Sequence, residues 1–173
     1  MGLAPTTSTT MMIALGDALA VALLERKGFS VQDFQALHPG GTLGRKLLRV
    51  ADIMHDGDAV PLVHRDTAMA EAILVMTTKS FGCVGVTDGA GKLVGVVTDG
   101  DLRRHMRPDL MTALVDEVMT KNPRTIAPGM LASDVMRESI DSSKPAVMVL
   151  IVAEGNKPVG IVHVHDVLRA GVA

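Results

Sequence analysis

The chain has 173 residues and a formal net charge of −2, with 17 Lys and Arg against 19 Asp and Glu. This balance excludes a general basic surface for nucleic acid, and an aromatic share of 2% excludes a base-stacking platform for single strands. A hydrophobic share of 47% indicates a globular protein with a sizeable core. The lone cysteine, Cys83, allows no internal disulfide and predicts a reducing, cytoplasmic location.

The first predicted element is an apolar helix that follows a run of hydroxyl side chains. Residues 11–24 are apolar on nearly every side, interrupted by Gly16 and Asp17. Such a helix is typical of a buried core, and it is shorter than the roughly 20 residues that a bilayer requires. We therefore expect a core helix and no membrane partner. Because the chain offers it no sheet, we infer that the chain is the C-terminal part of a longer protein or that a partner covers the helix.

A glycine-rich segment follows a short helix that Ser30 is placed to cap. Pro39 disfavours the helical conformation at His38, and three glycines between positions 40 and 44 allow close approach of a ligand or another chain. His38 therefore precedes a flexible turn that leads to the basic residue Arg45. We interpret His38 as a candidate proton-transfer residue near a phosphate. The alternative is that it only ends the helix and bonds to backbone.

The rest of the chain contains two copies of one unit. A strand, turn and helix stretch at residues 95–104 recurs at 160–169, and its glycine, aspartate and second arginine each recur 65 residues later. A run of an acidic residue, an aliphatic residue and methionine at 52–54, here called the acid-aliphatic-Met step, recurs at 117–119 with the same spacing. A long period seen only twice predicts two small α+β units packed together and not a solenoid array.

The elements of the unit follow from the pattern of the first copy. Thr67 is placed to cap a helix, and a turn containing Gly89 and Gly91 predicts a hairpin between two strands. In the second copy, a β-branched run at 147–152 predicts a buried central strand. The predicted helix and two strands of the first copy lie at residues 67–76, 81–86 and 93–97. Residues 98–101 are predicted to cap a second helix that has Arg103 and Arg104 in its first turns.

The turn between the last strand and helix of each copy carries the candidate chemistry. In the first copy it reads Gly95-x-x-Thr98-x-x-Asp101. The Asp101 carboxylate can accept from both hydroxyls of a ribose, Thr98 can bond a hydroxyl or a phosphate, and amides at a helix start favour an anion. The alternative is that Thr98 and Asp101 only cap the helix, which stabilises it by about 1 kcal/mol.

In these features the repeated unit resembles the cystathionine-β-synthase (CBS) domain, which works as a side-by-side pair called a Bateman module. The resemblance implies a ribose-phosphate site at Thr98 and Asp101, with Thr67 and Glu117 completing the cleft. Arg103, on the helix after the turn, is either a phosphate contact or part of a solvated face. The implied ligand is a regulatory nucleotide or CMP-sugar, and no cofactor is required.

The second copy departs from that pattern. It retains the acid as Asp166, but His163 stands where Thr98 stands. We therefore expect one occupied site per pair. His163 and His165 are two apart in a predicted extended segment and would share a face, as metal ligands do. Without a cysteine or acid cluster at ligand spacing, we predict no metal site.

The whole chain resembles the D-arabinose-5-phosphate isomerase family, which joins a sugar-isomerase (SIS) domain to a Bateman module. The matching residues are 4–10, 16–20, the His-Pro-Gly-Gly-x-Leu-Gly-Arg stretch at 38–45 and the CBS pair. The family interconverts D-ribulose 5-phosphate and D-arabinose 5-phosphate at the entry to Kdo synthesis for lipopolysaccharide or capsule. The resemblance implies that His38 is the catalytic histidine, since proton transfer between C1 and C2 needs an acid and a base.

The predicted fold class is therefore α/β, with α+β CBS repeats in a tandem pair preceded by a helical remnant of a SIS domain. The predicted boundaries are 1–48 for the remnant, 49–108 for the first CBS domain and 109–173 for the second. The family's other site residues lie upstream of this chain, so we expect little isomerase activity from it alone. The expected partners are a sugar phosphate for the parent enzyme, a nucleotide or nucleotide-sugar for the CBS pair, and further copies in a homo-oligomer. Alternatives are a stand-alone nucleotide sensor and a pair that only assembles subunits.

Overall fold

A computed structural model describes residues 5–30, 33–34, 37, 41–140 and 146–172. The chain divides into two compact units, Met1–Gly44 and Arg45–Ala173. His38, the predicted catalytic residue, lies outside the described residues, as does Pro39. The structure therefore bears on the repeated part of the chain and on the apolar helix that precedes it.

The first unit contains the long apolar helix α1, Thr6–Arg26. It is longer than predicted because the hydroxyl run at its start is helical, with the Thr9 hydroxyl donating to the Pro5 carbonyl at 2.8 Å. No side chain of α1 is buried by the described part of the chain, so the cover expected for a core helix is not supplied by the described residues. By length and composition α1 is able to cross a membrane, a test that buried core helices also pass. After it, the Ser30 hydroxyl accepts from the Asp33 amide, which is the predicted cap.

The second unit is built from two four-stranded sheets and short helices. The strands are β1 His55–Asp56, β2 Leu62–His64, β3 Cys83–Thr87, β4 Leu93–Thr98, β5 Thr120–Lys121, β6 Thr125–Ile126, β7 Val149–Glu154 and β8 Lys157–His163. The sheet orders are β2-β3-β4-β5 and β1-β8-β7-β6. The helices are α2 Thr42–Lys46, which spans the boundary between the units, then α3 Met69–Lys79, α4 Asp99–Arg104, α5 Val115–Val118, α6 Ala132–Ile140 and α7 Val164–Arg169.

Each sheet takes one edge strand from the start of the other copy. Strand β5, from the second copy, pairs with β4 so that Lys121 lies opposite Gly95. Strand β1, from the first copy, pairs with β8 so that Asp56 lies opposite Gly160. The two pairings are related by the same 65-residue offset that relates the sequences. Neither copy therefore completes its own sheet.

Each hydrophobic core likewise includes residues from the start of the other copy. The core of the first copy includes Val115 and Val118, which begin the second copy. The core of the second copy includes Val50, which begins the first. Backbone hydrogen bonds reinforce both connections, for example from the Met69 amide to the Ala113 carbonyl at 2.9 Å and from the Ala132 amide to the Leu48 carbonyl at 2.7 Å. The sequence repeat and the packed unit are therefore not the same stretch of chain.

Most elements of the first copy are confirmed. Strands β3 and β4 form the predicted hairpin, and Gly91 in its turn has a φ of 73°. The predicted buried strand of the second copy is β7, which is interior in its sheet. The prediction that Thr67 caps α3 is wrong. The N-cap position is occupied by Ala68, whose side chain makes no capping hydrogen bond. Ala68 is extended and bridges to Leu114.

The repeated glycines are explained by methionine packing across the copies. A Cβ at Gly95 would meet the Sδ of Met119, with the Cγ of that side chain at 2.8 Å and the Thr120 carbonyl oxygen at 3.1 Å. At Gly160 it would meet the Met54 Sδ at 2.5 Å. The acid-aliphatic-Met step of each copy thus covers the glycine that starts the turn motif of the other. The motif glycine is a packing requirement, independent of any ligand.

We predict that Gly95→Ala lowers the free energy of unfolding by about 1–3 kcal/mol, because the added methyl overpacks the contact with Met119. Chemical denaturation measures this change. The control is Gly89→Ala, where the added Cβ meets nothing within 4 Å. The Gly95→Ala, Met119→Ala double variant should lose less stability than the sum of the single changes. Equal stabilities for the Gly95→Ala and Gly89→Ala variants would contradict the packing explanation.

Candidate functional site

The predicted turn of the first copy is a reciprocal cap at the start of α4. The Thr98 amide and hydroxyl donate to Oδ2 of Asp101 at 2.9 and 2.6 Å. In return, the Asp101 amide donates to the Thr98 hydroxyl at 3.2 Å. Since β4 ends at Thr98 and α4 begins at the next residue, these bonds satisfy amides that the helix leaves without partners. Thr98 and Asp101 are therefore brought together as predicted.

The other carboxylate oxygen of Asp101 joins the two copies. Its Oδ1 accepts from Nη2 of Arg104 at 2.6 Å and from the hydroxyl of Thr120, which begins the second copy, at 3.0 Å. Asp101 is only 2% exposed. Burial raises the pKa of its carboxyl, but hydrogen bonds from Thr98, Arg104 and Thr120 outweigh burial and hold the pKa below its ordinary value. Asp101 is thus a buried, ionised and fully partnered carboxylate.

The arginine that contacts Asp101 is Arg104 and not Arg103. Arg103 is exposed and makes no hydrogen bond or ion pair with the residues that the structure describes. Thr120 is the site residue that sequence reasoning missed. The sequence did carry a signal for Thr120. It directly follows the acid-aliphatic-Met step of the second copy and lies 65 residues, the repeat distance, after His55.

Thr67 and Glu117 lie in a neighbouring network where the two copies adjoin. The Thr67 carbonyl accepts from the Val115 amide at 2.9 Å. Glu117 is exposed and accepts from Nη2 of Arg107 at 3.2 Å and from the Leu114 amide at 3.4 Å. Among the described residues, neither Thr67 nor Glu117 has a hydrogen bond or ion pair with Asp101. Of the predicted cleft residues, Thr98 and Asp101 therefore belong to one hydrogen-bonded network, and Thr67 and Glu117 belong to an adjoining one.

The second copy repeats the turn with imidazoles in place of hydroxyls. The His163 amide donates to Oδ2 of Asp166 at 2.9 Å, as Thr98 does to Asp101. The cap acceptor is the His163 Nδ1, which accepts from the His165 amide at 3.0 Å. The counterpart of Thr120 is His55, whose Nε2 lies 3.3 Å from Oδ2 of Asp166. His165 lies in α7, so the prediction that it shares an extended segment with His163 is wrong.

A cavity of about 330 Å³ lies beside the first turn, between α3 and α4. Its lining combines apolar side chains with hydroxyl groups and Asp99, and more of the lining surface is polar than apolar. Thr98 and Asp101 do not line it. The lining residues are Ile73, Met76, Thr77, Ser80, Gly82, Asp99 and Leu102.

The lone cysteine is unsuited to nucleophilic chemistry. Cys83 is buried in β3. Burial, and secondarily the charge of Asp99, raises the pKa of its thiol to about 12. The thiolate is the reactive form of cysteine. Cys83 is therefore a packing residue.

Residues 50–108 and 115–173 both match the CBS domain family, and the chain belongs to this family. It shares the fold of CBSX2 in complex with AMP, with a TM-score of 0.60 and 24% identity over 72% of this chain and 96% of that one. It also shares the fold of the CBS domain pair of MJ0100 in complex with 5-methylthioadenosine and S-adenosyl-L-methionine, with a TM-score of 0.61 and 22% identity over 71% of this chain and 94% of that one. The predicted tandem CBS fold is confirmed.

In sequence, the chain matches arabinose 5-phosphate isomerases. It is 47% identical to arabinose 5-phosphate isomerase KdsD of Yersinia pestis over 175 residues, which cover 99% of this chain and 52% of the relative. With the enzyme of Escherichia coli the identity is 45% over the same shares. The chain therefore spans about half the length of the curated relatives it matches, and the predicted family resemblance is confirmed.

We predict that Asp101→Asn lowers the free energy of unfolding by about 1–3 kcal/mol near neutral pH, since it removes charge-assisted bonds at a buried position. The depressed pKa of Asp101 means that its contribution is complete above the ordinary aspartate pKa of about 3.9 and is lost as the pH falls through the folded-state value. The difference between variant and parent should therefore shrink in acid. Denaturant titrations across this range measure it, with the exposed Asp58→Asn as control. A pH-independent difference would contradict the ionised state of Asp101.

Proposed function

We propose that this chain is the regulatory half of a sugar-phosphate isomerase, and that its CBS pair binds a nucleotide or nucleotide-sugar at the Thr98 and Asp101 turn. One observation carries the proposal: the buried Asp101 carboxylate is shared between its own turn and Thr120 of the other copy. A ligand bound there contacts both copies and can change how they pack. Such coupling is what a regulatory module requires.

A ribose hydroxyl of the ligand would bind the Asp101 carboxylate by replacing the hydrogen bond from Arg104. Both oxygens of Asp101 already accept hydrogen bonds, two from the partly buried Thr98 and one from the exposed Thr120. Arg104 is different, because Thr98 and Thr120 belong to the strands β4 and β5, whereas Arg104 has a long side chain that is 65% exposed. A ribose hydroxyl can replace its bond to Oδ1 without opening the core. The released guanidinium, with the exposed Arg103 on the same helix, is then available to a phosphate.

The remaining predicted residues are assigned to the same proposal. Thr67 and Glu117, at the junction of the copies, would form the adjoining part of the cleft. Asp166 marks a second turn in which His163 replaces the threonine, and we propose that this turn is the weaker or unoccupied one. A nucleotide-sugar from later in the pathway, such as a CMP-sugar, is the ligand class that feedback on a first enzyme favours.

For the whole protein we propose interconversion of D-ribulose 5-phosphate and D-arabinose 5-phosphate for lipopolysaccharide or capsule synthesis in the cytoplasm. The support is the similarity to the KdsD enzymes over the full length of this chain. His38 would transfer the proton, with residues 1–48 belonging to the SIS domain and 49–108 and 109–173 to the two CBS domains. We further propose a homo-oligomer, in which the exposed apolar face of α1 is covered.

We predict that AMP, CMP or a CMP-sugar raises the melting temperature of the chain, because a ligand that binds only the folded state stabilises it. At a concentration of 100 times Kd the gain is about 2.7 kcal/mol. Thermal shift and calorimetric titration measure it. Thr98→Val removes the hydroxyl that holds the Asp101 carboxylate in place and should weaken binding by about tenfold, corresponding to loss of one hydrogen bond.

The matched control is Asp166→Asn, the same kind of change in the second turn. Asp166→Asn should leave nucleotide binding at the first turn intact. Asp101→Asn should abolish that binding, provided that circular dichroism shows the variant folded at the temperature of the titration. No shift with any of the three probes would favour a module that only assembles subunits. A shift lost in Asp166→Asn and kept in Asp101→Asn would move the site to the second copy.

We predict little or no isomerase activity from this chain alone, because catalysis depends on the mutual placement of several groups and the chain carries only the histidine of the family's site. Incubation with D-arabinose 5-phosphate, followed by assay for D-ribulose 5-phosphate, measures the activity. An intact KdsD enzyme at equal molar concentration is the positive control. Turnover comparable to that control would refute the prediction.

A further inference from the structure

The two turns of the molecule use the same backbone bonds but different side-chain chemistry. In the first copy the cap acceptor is the hydroxyl of Thr98, which accepts the Asp101 amide whatever the pH. In the second copy the cap acceptor is the Nδ1 of His163, which accepts the His165 amide at 3.0 Å. An imidazole nitrogen accepts a hydrogen bond only when it carries no proton. A proton on His163 Nδ1 therefore removes the cap.

We propose that the second turn is a proton-responsive helix cap, in which protonation of His163 releases the amide of His165 and loosens the start of α7. The proposal is independent of nucleotide binding. It rests on an imidazole, a group whose ordinary pKa of about 6.5 lies near physiological pH. The first turn, built from hydroxyls, keeps its cap throughout this range.

The groups around His163 favour the neutral form that the cap requires. Burial, followed by the neighbouring imidazole of His165, lowers the pKa of His163, whereas the charge of Asp166 raises it and that of Arg169 lowers it further. The rings of His163 and His165 lie 4.4 Å apart. From strand β1, His55 faces the same carboxylate of Asp166. The strand that pairs with His163 places the uncharged Val149 opposite it.

The direction of the pH effect follows from this lowered pKa. The folded chain binds fewer protons at His163 than the unfolded chain, whose histidine has its ordinary pKa of about 6.5. The contribution of the cap to stability is therefore complete above that value and decreases as the pH falls below it. The Nε2 of His55 also lies 3.3 Å from Oδ2 of Asp166, so the experiment must separate His163 from His55.

Helix α7 connects this cap to the entry of the module. Its C-terminal end is followed by Gly171, which has a φ of 67°. The side chain of Arg45, the residue at which the second compact unit begins, packs on Gly171, since an added Cβ there would meet the Arg45 Nη1 at 3.0 Å. A change at the start of α7 can thus reach the segment through which the chain enters the module.

The test compares the melting temperature of the chain with that of His163→Thr, which installs the residue of the first copy. Between about pH 7.5 and about pH 5.5, the parent should lose about 2–4 °C more than the variant, the shift expected for one lost cap in a chain of this size. His64→Thr is the control, because His64 is an exposed histidine of the first copy beside Asp66. It should retain the full pH dependence of the parent.

Two further measurements identify the group that binds the proton. Amide hydrogen exchange on the unmodified chain should show that protection of the His165 amide decreases in acid while that of the Asp101 amide does not, and this readout does not depend on any variant folding. His55→Thr should leave the acid loss in place. Equal pH slopes for parent and His163→Thr, constant protection of His165, or a slope abolished by His55→Thr would each overturn the proposal.

Discussion

The structure depends on a reciprocal exchange in which each copy of the repeat completes the sheet and the core of the other. A methionine near the start of each copy packs on the motif glycine of the other copy. Met119 packs on Gly95, and Met54 packs on Gly160. Close packing of this kind leaves no room for a side chain at the glycine. It also ties the edge strands β5 and β1 to the other copy's sheet. The two copies therefore form one cooperative unit.

This exchange also places the candidate site. Because β5 lies beside β4, Thr120 reaches the carboxylate of Asp101 at the start of α4. The motif that a single copy carries is thus completed by a residue from the next copy. A ligand that draws on Asp101 necessarily acts on the contact between the copies, and a small local change has a route to the whole module.

The symmetry of the fold makes the chemical difference between the turns informative. Equivalent backbone positions hold Thr98 and Thr120 in one turn and His163 and His55 in the other. Hydroxyl groups donate and accept across the whole physiological pH range, whereas imidazoles change their charge and bonding within it. The proposed ribose site therefore lies at the hydroxyl turn, and the proposed response to protons lies at the imidazole turn.

The sequence by itself determined the repeat, the hairpin of β3 and β4, the cap formed by Thr98 and Asp101, and the CBS fold, because these depend on local pattern and on a fixed 65-residue spacing. Only the tertiary structure decided that the copies exchange strands, that Ala68 and not Thr67 caps α3, and that Arg104 and Thr120 hold Asp101. Long-range pairing overrides the local capping preference here, since Ala68 bridges to Leu114 and the Thr67 carbonyl accepts from the Val115 amide. The 65-residue repeat shows which residues of the two copies are equivalent, but it does not show which of them touch, because contacts between residues far apart in sequence depend on how the copies pack.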